Sequence, residues 1–194
     1  MTRWEPNASG RLQLAALELY SERGYDQTTV AEIAKRAGLT ERTYFRYFAD
    51  KREVLFYGSG HLQERLVAEI ASAPDGLSPL GVVGAALEAA AAPFEEAGDF
   101  PRRRQAIIAA NPELRERELI KLAALAAALA DALRRRGVPD PAASLAGEAG
   151  IAVFKVAFQR WAGEAGEAGA AGGHTLAQLI RQSLAELKTV AAGS

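Results

Sequence analysis

Apolar residues recur at helical spacing along almost the whole chain, and no stretch alternates apolar and polar side chains with the β-branched enrichment of a strand. That restricts the fold to helices packed on helices. A repeated device marks helix starts, a short polar residue followed by proline, at Ser78-Pro79, Asn111-Pro112 and Asp140-Pro141. The polar residue offers an acceptor to free amides, and a proline at the first helical position has no amide to satisfy. Together these signals predict an all-α protein of about nine helices, over 9–23, 29–36, 40–48, 51–72, 79–97, 101–110, 112–136, 141–162 and 175–191. Three short helices thus precede a long fourth, and "SAPDGLSP" at 72–79 is a linker. The expected division is a three-helix domain over 1–50 and a larger helical domain over 51–194.

With 49% hydrophobic and 24% charged residues among 194, the chain has enough apolar surface for helix-on-helix cores. It has no cysteine, so disulfides and thiolate metal sites are excluded. The opening "MTRWEPNASGRLQ" lacks the apolar run of a signal peptide. The most apolar window, "LIKLAALAAALADAL", is interrupted by Lys121 and Asp131 and falls short of the roughly 18 apolar residues that span a bilayer. A cytoplasmic location is expected. For catalysis the inventory is poor: His61 and His174 stand alone, and no acid pair has a distinctive spacing. Neither an enzyme, a metal site nor a cofactor is expected. The glycine-rich "GEAGEAGAAGG" at 163–173 has no βαβ setting for a phosphate cradle and reads as a flexible connector.

Formal net charge is -1, yet between positions 35 and 52 six cations (Lys35, Arg36, Arg42, Arg46, Lys51, Arg52) stand against two acids (Glu41, Asp50). A local positive footprint of this kind attracts a polyanion. It lies within "TTVAEIAKRAGLTERTYFRYF" at 28–48, where Ile33, Ala37, Leu39 and Tyr44 take apolar positions, Ala34 lets two helices cross closely and Gly38 turns the backbone. This is helix-turn-helix spacing, with Thr40 as N-cap of the second helix. Tyr44 and Phe48 share one face and pack inward, which turns Arg42 and Arg46 outward with Thr43, Phe45 and Tyr47 beside them. Arginine, threonine and phenylalanine are side chains that read base edges in the major groove, while Tyr47 and Lys51 suit phosphates.

The run "TTVAEIAKRAGLTERTYFRYFADKREVL", with Gly24-Tyr25 ahead of it, resembles the N-terminal signature of the TetR family of transcriptional regulators over about 8–57. The resemblance implies that Arg42, Thr43 and Phe45 face base edges. It further implies that Thr28 and Thr29 lie at the phosphates, Thr29 also capping its helix, and that Arg46, Tyr47 and Lys51 hold the backbone of double-stranded operator DNA. Glu41 stands where relatives often carry a base contact; it either accepts from cytosine N4 or stays solvated. Arg42 is bulkier than the small residue many relatives have there.

Beyond about residue 60 the resemblance weakens, although the wording from "PRRRQAIIAANPELRERELIKLAALAAALADALRRRG" to "FQRW" is similar to actinobacterial members. Two late seams suit helix packing: Ile151, Phe154, Phe158 and Trp161, and Leu176, Ile180, Leu184, Leu187 and Val190. By the resemblance they form a homodimer interface; ordinary core within one chain is the other reading. An apolar effector pocket is expected around Phe94, Ile107, Ile108, Leu122, Leu125 and Phe154. The functional expectation is a dimeric repressor on a palindromic operator, released by a small, largely apolar molecule. The alternative is an all-helical ligand-binding or protein-interaction module that does not read DNA.

Overall fold

The protein is described by a computed structural model covering residues 8–164 and 173–193. The opening 1–7, on which the signal-peptide reading partly rests, and most of the 163–173 connector lie outside the described residues. Among the described residues there are ten α-helices, one 3-10 turn and no strand. In chain order the helices are α1 (Ala8–Arg23), α2 (Val30–Arg36), α3 (Glu41–Tyr47), α4 (Ser59–Ser72), α5 (Pro79–Ala89), α6 (Ala92–Glu96), α7 (Phe100–Ala110), α8 (Pro112–Arg135), α9 (Asp140–Glu164) and α10 (Leu176–Ala192).

Two expected helices are broken. The region read as one helix over 51–72 is a 3-10 turn, Glu53–Phe56, followed by α4. Gly58 and Gly60 lie at the break, and glycine is the weakest helix former after proline. The region read as 79–97 divides into α5 and α6, with Pro93 near the start of α6, where its missing amide is tolerated. The start device also proves less uniform than it looked. Ser78 does cap α5, accepting from the Gly81 amide at 3.2 Å. Asn111 instead turns back and donates its side-chain amide to the Ile107 carbonyl at 2.6 Å, closing α7. Asp140 is taken up by Arg134, whose Nε donates to its Oδ1 at 2.6 Å.

The chain divides into two units. One comprises the described residues up to Ser59 together with Asp99–Glu118; the other comprises Gly60–Gly98 and the described residues from Leu119 onward. The expected division at 50/51 therefore shifts to the start of α4, and α7 with the first turns of α8 joins the N-terminal unit. In that unit the stripe Leu12, Ala15, Ala16, Leu19 of α1 is buried as its spacing predicts, against Ile33, Tyr44, Phe48 and the 3-10 turn residues Val54, Leu55 and Phe56. Ile107, Ile108 and Leu114 complete this core.

Two ionic contacts hold the α7–α8 segment to the 3-10 turn. Arg104 Nε donates to the Leu55 carbonyl at 2.6 Å, its guanidinium lies 5.0 Å from the Phe56 ring centroid, and Glu118 pairs with it at 3.5 Å. Burial pulls the Arg104 guanidinium below its ordinary pKa, an effect the nearby Glu118 opposes. Arg117 pairs with Glu53 at 2.6 Å.

In the second unit, Leu66 and Ile70 of α4, Val83 and Leu87 of α5, Leu129 and Leu133 of α8, Ile151 and Trp161 of α9, and Leu179 and Ile180 of α10 form one core. Arg136 closes the end of α4 by donating to the carbonyls of Ile70 and Ala71, each at 3.0 Å. α9 is long and apolar enough over Asp140–Gly163 to cross a membrane by length and composition alone, unlike the 119–133 window singled out from the sequence. Its large apolar side chains Ile151, Val153, Phe158 and Trp161 are buried in this core.

Helices approach closely at three glycines. A Cβ on Gly84 would lie 2.5 Å from Leu184 Cδ2, one on Gly147 would lie 2.6 Å from the Ala126 carbonyl oxygen, and one on Gly150 would collide with Val83. Only at Gly147 is the obstacle backbone, which has no rotamer to yield. Gly147→Ala is expected to destabilise the protein by about 1–3 kcal/mol, seen as a lower urea midpoint with unchanged slope. Gly163→Ala, with nothing within 4 Å of the added Cβ, is expected to leave the midpoint where it is or raise it.

Candidate nucleic-acid interface

The helix pair α2–α3 is fixed at both ends by local chemistry. Thr29 caps α2 in a reciprocal box: its Oγ1 accepts from the Glu32 amide at 3.3 Å, and Glu32 Oε2 accepts from the Thr29 amide at 2.9 Å. The Thr29 amide and hydroxyl hold the Glu32 carboxyl below its ordinary pKa, with Arg23 adding to the effect. α2 ends at Ala37, and the chain turns through Gly38 at φ 66°, a left-handed conformation suited to glycine. A Cβ at Gly38 would also lie 2.8 Å from the Arg11 guanidinium, which donates to the Ala37 carbonyl. Thr40 then caps α3, accepting from the Thr43 amide at 3.2 Å.

α3 is held by its aromatic side. Tyr44 and Phe48 are 0% and 2% exposed, with ring centroids 5.1 Å apart, and the Tyr44 hydroxyl donates to the Asp50 carbonyl at 3.1 Å. The other side faces solvent: Glu41, Arg42, Phe45 and Arg46 are exposed, and Thr43 and Tyr47 are half-buried. Phe45 is 55% exposed, on the same side of the helix as Arg42 and Arg46. The Arg46 guanidinium lies 5.0 Å from the Tyr47 ring centroid and donates to its hydroxyl at 3.2 Å.

Two positions expected at phosphates are engaged elsewhere. Thr28 is only 1% exposed, and its hydroxyl donates to the Gly24 carbonyl at 2.9 Å; it closes the turn after α1 and is removed from the interface. Thr29, its neighbour, is exposed and remains. Lys51 donates to the Tyr25 carbonyl at 2.8 Å and lies 4.0 Å from that ring's centroid.

Supporting residues that sequence reasoning passed over are long-range partners. Arg36 bridges to Glu22 at 2.8 Å and Glu18 at 3.1 Å, Arg23 pairs with Glu32 at 2.9 Å, and Arg11 caps α2 as above. The spacing of Glu18 and Glu22, one turn apart on α1, was a signal for a cationic partner.

The expected effector residues do not all come together. Phe94, Leu122, Leu125 and Phe154 share the second unit's core, where the Phe94 ring lies 5.9 Å from that of Phe154 and 5.7 Å from that of Phe158. Ile107 and Ile108 instead pack in the N-terminal unit, because α7 lays its apolar side on α1. Most of the expected dimer residues are buried within one chain. Ile151, Phe158, Trp161, Leu176, Ile180 and Leu184 are all under 9% exposed within a single chain, since the seams of α9 and α10 pack on each other and on α5. Leu187 is half-buried, and Leu145, Val156 and Val190 are exposed at 70%, 46% and 76%.

A pH effect follows from Glu32. Its folded pKa lies below the ordinary 4.5, so its contribution to stability is complete above that value and is lost as pH falls through the lower folded one. Glu32→Gln keeps an acceptor for the Thr29 amide but cannot ionise. Its urea midpoint is expected to fall less steeply than the wild type's on the acid side of pH 4.5.

The family model for bacterial regulatory proteins of the tetR family matches residues 14–57. The regulator TcmR of Streptomyces glaucescens is 34% identical over 99 residues, covering 45% of this chain and 44% of that protein. The fatty acid metabolism regulator protein of Bacillus subtilis is 44% identical over 41 residues, 21% of each chain. These matches thus span less than half the length of the curated relatives. Across nearly the whole chain the fold is similar to two solved structures. One is the regulator FadR of Bacillus subtilis in complex with stearoyl-CoA, with a TM-score of 0.63, 20% identity and 92% and 96% of the two chains covered. The other is a regulator of Syntrophomonas wolfei, with a TM-score of 0.65, 15% identity and 95% of each chain covered. The capped helix pair, its exposed basic and aromatic face and the family match coincide on one stretch, so that residues 14–57 are similar to bacterial regulatory proteins of the tetR family.

Proposed function

We propose that the protein is a DNA-binding transcriptional regulator, a repressor that occupies a palindromic operator as a homodimer and leaves it when a small, largely apolar molecule binds the second unit. The observation that carries this reading is the outward face of α3. Arg42 and Phe45 project from a helix whose opposite side is locked by Tyr44 and Phe48. In the major groove Arg42 suits guanine, while Thr43 and Phe45 suit thymine methyls. Thr29, Arg46 and Tyr47 would take phosphates, their side chains being exposed or half-buried, and the solvated Glu41 disfavours a phosphate at its own position. One helix of seven residues reads little DNA, so a second copy is needed for a useful site.

The exposed stripe of α9, with Leu145, Ala152 and Val156, is the face we assign to that second copy, together with Leu187 and Val190 of α10. For the effector, the ring cluster Phe94, Phe154, Phe158 and Trp161 with Leu122 and Leu125 offers an apolar lining. A structural neighbour holds stearoyl-CoA, which agrees with an apolar effector class.

Selection of bound sites from random duplexes tests the reading directly: an enriched palindrome is expected, and no enrichment would favour a helical module that does not read DNA. On the selected site, Arg42→Ala is expected to cost about 1–3 kcal/mol and to relax preference at one base pair per half-site. Arg46→Ala is expected to weaken all sequences alike and to reduce the slope of log K against log salt by about 0.9 per chain. Leu145→Glu with Val156→Glu is expected to give a monomer by sedimentation, with the α-helical content kept and affinity for the palindrome lost.

A further inference from the structure

We propose that Lys51 is a positioning residue that fastens the turn ahead of α2 to the end of the recognition helix, and is not one of the protein's phosphate ligands. This rests on the reading of α2–α3 as a DNA interface and departs from the role the family resemblance implies. The ammonium donates to the Tyr25 carbonyl at 2.8 Å and sits 4.0 Å from the centroid of the same residue's ring. The contact is reciprocated, since the Tyr20 hydroxyl donates to the Lys51 carbonyl at 2.8 Å. The Tyr20 and Tyr25 rings meet edge to face at 5.2 Å and are 3% and 5% exposed, so the seat for the lysine is rigid.

Both ends of the reading head converge on this seat. The Tyr25 carbonyl also accepts from the Thr28 amide at 3.3 Å, one residue before the cap of α2. On the other side, the Tyr44 hydroxyl of α3 donates to the carbonyl of Asp50, the residue before Lys51. A lysine that left Tyr25 for a phosphate would give up a charge-assisted hydrogen bond and a cation–π contact together. Its ammonium is compact enough to meet the Tyr25 carbonyl and the ring of the same residue at once.

Two arms test this on the full chain. In the free protein, acetylation of lysine amines followed by mass spectrometry is expected to modify Lys51 several-fold more slowly than exposed Lys35; equal rates overturn the proposal. On a mixed-sequence DNA duplex, Lys51→Met is expected to weaken binding several-fold while leaving the salt slope unchanged, whereas loss of a phosphate ligand lowers that slope by about 0.9 per chain. If Lys51→Met does not fold, the acetylation rates on the wild-type chain still decide the question. A wild-type chain that binds no duplex refutes the DNA-binding reading, and the acetylation rates still decide where the ammonium sits.

Discussion

The burial of one ring organises the reading head. Tyr44 has no exposed surface, yet its hydroxyl escapes the cost of a lost partner by donating to the Asp50 carbonyl. Burying such a ring contributes about 2–3 kcal/mol, and in a seven-residue helix that single face decides the rotation of everything else. With Tyr44 and Phe48 inward, no rotation of α3 hides Phe45 or Arg42 as well. The exposed aromatic and the unpaired guanidinium are thus consequences of the anchor, and they acquire their meaning only with a partner surface.

Local chemistry made this half of the molecule legible. The Thr29 box, the Gly38 turn and the Thr40 cap depend on residues within four positions of each other, and sequence spacing displays such neighbours directly. Thr28 and Thr29 show where that legibility stops. Adjacent threonines look alike in sequence, yet one hydroxyl closes a buried turn and the other caps an exposed helix. Their difference is set by the direction of the backbone at the end of α1, which no residue type encodes alone.

Partner choice was the less legible part. The periodicity of α9 and α10 correctly marks Ile151, Phe158, Trp161 and Ile180 as apolar seam positions, but a periodic stripe is satisfied equally by its own chain or by a copy. Glycines at 84, 147 and 150 decide it, because they let α5, α8, α9 and α10 close on one another until those side chains are consumed. Likewise Ile107 and Ile108 read as lining for a pocket, while Arg104, 49 residues from Leu55, draws their helix into the N-terminal core. The same clamp makes α7 and the first turns of α8 part of the unit that carries α3, although they lie far along the chain from it.

The charge count also changes meaning once pairs are visible. Six cations against two acids between positions 35 and 52 overstates what DNA would meet. Arg36 is bridged by Glu18 and Glu22, and Arg52 by Asp50 at 2.7 Å. Burial pushes the Asp50 carboxyl upward, but the Arg52 guanidinium and the amides of Arg52 and Glu53 outweigh it and hold the group below its ordinary pKa. Such exposed pairs add little stability, yet they cancel charge at the distances over which DNA is felt. What remains without an acid partner is Lys35, Arg42, Arg46 and Lys51, opposed by Glu41. Near α3, Glu18, Glu22 and Asp50 are engaged by Arg36 and Arg52 while Arg42 and Arg46 stand exposed on one helix, so a chain with a net charge of -1 still presents a local positive face. The paired arginines hold α1 and α2 together and the turn after α3, and the exposed ones are left available to a partner surface.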